Sequence, residues 1–141
     1  MFDAIRQGAT LYTVQQRRAW CPKRQAAKRF AKVFRDHEVW VMRNGQGRQG
    51  FVAVRRDGYV NLAFVRRPLA GRGILRRLMF AISAAQPGPL SVHASLHAEP
   101  AFAAMGFAVR ERQAIVRNGQ TLRRAFMERD EKGMLSDSKY I

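Results

Sequence analysis

Two groups of residues have the types and spacing to do chemistry. The first is a loop. Arg66-Arg67-Pro68-Leu69-Ala70-Gly71-Arg72-Gly73 follows the apolar run Tyr59–Val65 and precedes Ile74, Leu75, Leu78, Met79, Ile82 and Ala85, which have helical spacing. A helix start offers unpaired backbone N–H groups and a positive dipole end, and glycine lets a ligand approach the backbone. Arg66, Arg67, Arg72, Arg76 and Arg77 crowd this stretch, and no carboxylate occurs between Asp57 and Glu99. Such a loop suits a polyphosphate. It is not a P-loop, because no Gly-Lys-Ser/Thr follows, and it lacks the third glycine and the acidic residue of a dinucleotide fingerprint. A plain strand-to-helix turn is the competing reading.

The second group is histidine-centred. Ser91, His93 and Ser95 alternate along Leu90–Ala94 and so share one strand face. Imidazole titrates near neutrality and suits a general base. A neutral, hydrogen-bonded core histidine is the equal alternative for His93. His97 could simply sit at a helix start, and Glu38, beside His37 at a strand entry, is a lesser base. The three histidines do not form a metal pattern, and the single Cys21 gives neither a disulfide framework nor a metal cluster.

The elements that must position these groups are legible in order. Thr13-Val14-Gln15-Gln16 is a capping-box arrangement opening a short helix to Trp20, before Pro22. Gln25–Phe34 reads as a basic amphipathic helix. Val39–Met42, Gly50–Arg55 and Tyr59–Val65 read as an antiparallel meander, with turns at Asn44–Gly47 and Asp57-Gly58. A helix from Gly73 ends before Pro87-Gly88-Pro89, and Leu90–Ala94 returns as a strand. That crossover makes Tyr59–Val65 and Leu90–Ala94 parallel neighbours. A helix over about His97–Met105 stops at Gly106, and Phe107–Arg117 and Thr121–Arg129 form a hairpin at Asn118-Gly119. Residues 131–141 read as a polar tail to a single domain over 1–130.

The chain has 141 residues, 47% of them hydrophobic, which suits one globular domain. No apolar run approaches a membrane span, and no secretory signal is visible, so a cytoplasmic setting is expected. The net charge of +16 attracts polyanions, nucleic acid among them; a solvated arginine-rich surface is the ordinary explanation.

The order of elements and three segments resemble the GNAT N-acetyltransferase superfamily, from about Tyr12 to Arg129. Leu62-Ala63-Phe64-Val65 with Ala70-Gly71-Arg72-Gly73-Ile74 is similar to the family's strand and its Q/R-x-x-G-x-G/A pyrophosphate loop. Ala94-Ser95-Leu96-His97-Ala98 through Ala101-Phe102-Ala103-Ala104-Met105-Gly106-Phe107 is similar to its N/S-x-x-A…F-Y/F-x-x-x-G-F helix. Asn118-Gly119 followed by Ala125-Phe126-Met127-Glu128-Arg129 is similar to its ending. Tyr12-Thr13-Val14-Gln15-Gln16 with Ala19-Trp20 looks like the Y-[ST]-x-x-Q-x-x-x-W segment of a branch of small bacterial acetyltransferases.

The resemblance implies a mixed α/β fold. Its sheet is mostly antiparallel with one parallel, splayed strand pair, helices cover both faces, and the family's first strand is missing ahead of Tyr12. Either the start is late, or Val39–Met42 is a bared edge that invites a homodimer. It implies acetyl-CoA as co-substrate, with no metal, and direct acetyl transfer to an amine of a small molecule or protein. The backbone at Phe64 and Val65 would hold the pantetheine arm, and Ala70, Gly71, Arg72, Gly73, Ile74 and Leu75 would meet the pyrophosphate. Arg72 and Arg76 would reach the 3′-phosphate. Ser95, Ala98 and Phe102 would line the thioester slot, and Tyr12 and Trp20 would form the acceptor wall; to these the reading of the residues themselves adds His93 and Ser95 for catalysis and Glu38 on the acceptor side. Ala70 and Leu75 depart from the family's usual residues, and Phe102 stands where a tyrosine acid is common. The alternatives are transfer to a macromolecule such as a charged tRNA, or a degenerate domain that binds a polyanion without catalysis.

Overall fold

In a computed structural model, residues 11–20, 31 and 34–130 are described. The elements run α1 (Val14–Trp20), β1 (His37–Asn44), β2 (Gly47–Arg55), β3 (Tyr59–Val65), a 3-10 turn (Arg67–Leu69), α2 (Ile74–Ala85), β4 (Leu90–Ser95), α3 (Glu99–Ala104), β5 (Ala108–Arg117) and β6 (Gln120–Arg129). The helix expected over Gln25–Phe34 lies largely outside the described residues. Cys21, the polar tail and the segment ahead of Leu11, where a first strand was expected to be missing, lie wholly outside them.

Local chemistry accounts for most boundaries. Thr13 and Gln16 form the expected reciprocal cap: the Gln16 N–H donates to Thr13 Oγ1 (3.1 Å) and the Thr13 N–H to Gln16 Oε1 (2.9 Å). The far end of α1 is closed by a residue distant in sequence, Asn118, whose Nδ2 donates to the Ala19 carbonyl (2.6 Å). Asp57 Oδ1 accepts from the Tyr59 N–H (3.1 Å) and tightens the β2–β3 turn. Gly58 there has φ 88° and backs onto the Pro89 carbonyl, so a Cβ would collide.

The strands form one six-stranded sheet in the order β1-β2-β3-β4-β6-β5. Every adjacent pair is antiparallel except β3 and β4. This is the mixed sheet with one parallel pair that the crossover predicts. The core lies on one face, where Ile74, Leu78, Met79 and Ile82 of α2 and Phe102 of α3 pack against Val52, Val54, Val60, Leu90, Val92, Ala125 and Met127. Burying each large aliphatic side chain here contributes about 1.5–3 kcal/mol. A smaller cluster, Tyr12 and Leu122 with Trp20, Leu96 and Ile115, seats α1 on the opposite face. So helices cover both faces.

β1 and β5 are the sheet's outer strands among the described residues, and Val39 and Val41 of β1 are exposed. Arg129 is a surprise at the last strand position, only 3% exposed. Its guanidinium donates to the Met105 carbonyl (3.1 Å) and to Ser83 Oγ, and lies over the Phe107 ring. Hydrogen bonding and ring contact offset its desolvation.

Candidate active site

The site begins where a strand pair comes apart. β3 and β4 pair only at Tyr59↔Ser91 and Val60↔Val92. Beyond that, β4 continues against β6 alone through Ser95, while β3 continues against β2 alone through Val65. The cause is in β3. Val54 faces Val60 but Ala53 faces Leu62, so Asn61 is an extra residue, a β-bulge. The bulge resets the alternation. Val60 points to the core, as do Ala63 and Val65, which strict period two would have put on the other face. The Asn61 amide is held by His37, Nδ2 to Nε2 at 3.1 Å. Asn61–Val65 therefore present an unpaired backbone edge toward β4, and a cleft of about 320 Å³ opens there.

At the closed end of the cleft, Tyr59 Oη and His93 Nδ1 are 2.7 Å apart. Phe126 packs against the other side of the imidazole, ring centroids 5.0 Å apart. Partial burial, reinforced by the Arg124 guanidinium, holds the His93 pKa below its ordinary value, with Glu111 opposing. Burial raises the Tyr59 hydroxyl, with Arg124 and Arg55 opposing. Near neutral pH the imidazole is therefore uncharged and the phenol protonated. His93 is thus half-buried, hydrogen-bonded and open to the cleft at once, so the two alternatives for it are not exclusive.

Tyr59 is a cleft residue that sequence reasoning missed. Its signal was faint: it opens the strand expected beside Leu90–Ala94, but only the register brings its hydroxyl to His93. Arg124, paired with Ser95 across β4 and β6, was missed for the same reason.

The other expected residues divide. Tyr12, Trp20, Phe64, His93, Ser95, Ala98 and Phe102 all line the cleft. Tyr12 Oη donates to the Arg123 carbonyl (2.7 Å) and accepts from the Leu96 N–H (2.8 Å). Its hydroxyl ties three elements together while its ring, edge-on to Trp20 at 5.5 Å, forms the wall. Ser95 Oγ accepts from the Ala98 N–H (3.2 Å), which makes it a cap for the turn into α3. Phe102 is 2% exposed and stacks edge-on against Phe107. His97 Nε2 accepts from the Leu11 N–H (2.9 Å) at the chain turn before α1. Glu38 is not brought to this cleft. It is exposed on β1, accepts a long bond from Trp40 Nε1 (3.4 Å), and borders a separate hollow with Arg55, Arg56 and Asp57.

The glycine loop lies at the open end, directly after β3. Pro68 lies in the first turn of the 3-10 segment, Gly71 and Gly73 have φ 80° and 76°, and Gly73 is the N-cap of α2 without any side-chain cap. No atom lies within 4 Å of where a Gly71 or Gly73 Cβ would stand, and the first turn of α2 carries no acid. The N-terminal amides of α2 thus face open space flanked by exposed Arg72 and Arg76. Ile74 is buried in the core, and Leu75 turns inward to pack against it instead of projecting at the loop. Among the described residues no three His, Cys, Asp or Glu side chains gather as metal ligands.

A family model described as an acetyltransferase (GNAT) domain matches residues 8–125. The chain belongs to this family. A GCN5-related N-acetyltransferase from Rhodopseudomonas palustris superposes with a TM-score of 0.82 at 22% identity, over 92% of this chain and 84% of that one. The spermidine/spermine N-acetyltransferase SpeG of Vibrio cholerae gives 0.61 at 12% identity, over 82% and 80%. A GNAT family acetyltransferase from Elizabethkingia anophelis with acetyl-CoA bound gives 0.59 at 10%, over 74% and 83%. At these identities the structural likeness speaks for the fold alone. No curated protein matches the chain in sequence.

Proposed function

We propose that this GNAT domain is an acetyl-CoA-dependent N-acetyltransferase that moves the acetyl group directly to an amine in a ternary complex. The observation that carries the reading is the junction at Asn61: an unpaired strand edge ending in an uncapped, glycine-lined helix start, with a neutral histidine–tyrosine pair at the closed end. The pantetheine arm adds as a strand along Asn61–Val65, near Phe64 and Val65. The pyrophosphate meets the amides from Ala70 to Leu75, and Arg72 and Arg76 neutralise the 3′-phosphate side. Family membership supports the co-substrate, as does the neighbour solved with acetyl-CoA bound.

The chemistry then needs a free amine, a polarised carbonyl and a proton for the departing thiolate. A backbone N–H of the bulged strand polarises the thioester carbonyl. His93 Nε2 takes a proton from the amine as nitrogen bonds to the acetyl carbon. Nδ1–H passes its proton to Tyr59 Oη, and the phenol proton goes to the thiolate sulfur as the carbon–sulfur bond breaks. Each group ends with as many protons as it began with. Tyr59 thus supplies the phenol that Phe102 lacks. Tyr12 and Trp20 hold the acceptor, as in the small bacterial branch with that segment. Glu38 has no part in this reading.

The test is thermal stability with and without acetyl-CoA, followed by thiol release with amine acceptors. A ligand that binds only the folded state at a hundredfold excess over Kd stabilises by about 2.7 kcal/mol. An upward shift with acetyl-CoA, absent with ATP, and acceptor-dependent thiol release are expected. No shift at millimolar acetyl-CoA would overturn the reading.

A further inference from the structure

The cleft is one-signed. Arg117, Arg123 and Arg124 line it, and among the described residues no aspartate or glutamate does. Arg124 is half-buried on the face of β6 that also carries Phe126, beside His93. Its Nε donates to Gln113 Oε1 (2.9 Å), which fixes the guanidinium, yet it has no carboxylate partner among the described residues. The nearby acids are otherwise engaged or weaker. Glu99 is held bidentate by Arg112 at 2.7 and 3.1 Å. Glu111 is exposed on β5 and acts on His93 less than Arg124 does.

A half-buried, oriented guanidinium without a counter-ion is costly in the empty site and favours an anion in the filled one. A polycation meets repulsion from all three arginines. Spermidine, the acceptor named for the Vibrio cholerae neighbour, is such a polycation. A volume of about 320 Å³ suits a small molecule.

We propose that the acceptor is a small amine that itself carries an anionic group, a carboxylate or a phosphate, which pairs with the Arg124 guanidinium while the amine faces His93. This rests on the acetyltransferase reading above and adds the acceptor's chemical class to it.

The test uses matched acceptors that differ in the anion: O-phosphoethanolamine against ethanolamine, and phenylalanine against phenylalaninamide, with spermidine as the cationic probe. Thiol release from acetyl-CoA is followed at pH 8. The expected result is a kcat/KM at least tenfold higher for the anionic member of one pair, and which pair shows it separates phosphate from carboxylate. Arg124→Gln should raise KM for that acceptor tenfold or more with kcat within about threefold, and Arg124→Lys should restore part of the loss. Equal or better use of the members that lack the anion, or of spermidine, would overturn the proposal. So would a preference that survives in Arg124→Gln. If none of the five is turned over, the acetyl-CoA thermal shift still decides the acetyl-transfer reading, and binding decides this one. Thermal stabilisation by O-phosphoethanolamine or phenylalanine that Arg124→Gln abolishes would support an anion site, and no stabilisation by either would overturn it.

Discussion

The two ends of the cleft are built from different materials. The open end, from Ala70 to Leu75, is made of backbone: positive-φ glycines, an uncapped helix start and space. The closed end is made of side chains from three strands: Tyr59 of β3, His93 of β4, and Phe126 and Arg124 of β6. A backbone site tolerates changes in the residues around it as long as φ and open space survive. Ala70 and Leu75 can therefore differ from the family's usual choices, the more so because Leu75 packs into the core. A side-chain site has no such tolerance, since one strand register sets every distance in it.

The sharpest way to break this contrast is at the closed end. His93→Ala should lower kcat by about 10²–10³, within the span of general base catalysis, and leave the acetyl-CoA thermal shift unchanged. Tyr59→Phe keeps the ring against His93 but removes the proton relay. It should lower kcat by about tenfold to a hundredfold at unchanged acetyl-CoA affinity. Steady-state kinetics beside thermal shifts read both. A His93→Ala enzyme with full kcat would take the base away from this pair.

The open end should fail in the opposite way. Gly73→Val forces a β-branched residue to φ 76° and puts carbon into the space before the helix amides. The backbone strain costs about 1–2 kcal/mol. Acetyl-CoA affinity should fall tenfold or more, read as a lost thermal shift, with kcat at saturating acetyl-CoA reduced far less than in His93→Ala. Gly119→Val is the control. It also sits at positive φ (78°) in open space, but in the β5–β6 hairpin, so it should cost similar stability and spare acetyl-CoA binding.

The same contrast governs what the sequence reveals. The glycine loop is legible because its signal is local: a strand, a G-x-G and an amphipathic helix stand in a row. The hairpins are legible for the same reason, at Asp57-Gly58 and Asn118-Gly119. The closed end was half legible. Alternation put His93 and Ser95 on one face, but Asn61 carries no mark of the bulge, which arises from pairing with Ala53 and Val54 some seven residues earlier. Tyr59, Arg124 and the Asn118 cap on α1 are likewise products of long-range register. Glu38 shows the reverse case. A carboxylate beside a histidine in sequence looked useful, yet β1 lies beyond β2, two strands from β3 and three from β4.

The smallest expected effect is also the most direct probe of the field at the closed end. Burial and Arg124 hold the His93 pKa below its ordinary 6.5, so the histidine stays neutral and basic through neutral pH. The histidine-dependent part of activity should fall as pH drops through the lowered pKa, on top of the rise with pH set by the acceptor's own free-amine fraction. Stability carries the same sign. Below 6.5 the unfolded chain binds a proton that folded His93 resists, so the contribution present above 6.5 is lost as pH falls through the folded value. His93→Ala should flatten that part of the stability profile. Arg124→Gln removes a repelling cation and should move the acidic limb of kcat/KM upward, toward 6.5. Glu111→Gln removes the opposing carboxylate and should move it downward. Both displacements should be only part of a pH unit, because burial is the larger cause and neither variant alters it. Their opposite signs are the useful feature. A loosened fold would shift both limbs the same way, so a matched displacement in one direction would break the assignment of the limb to His93.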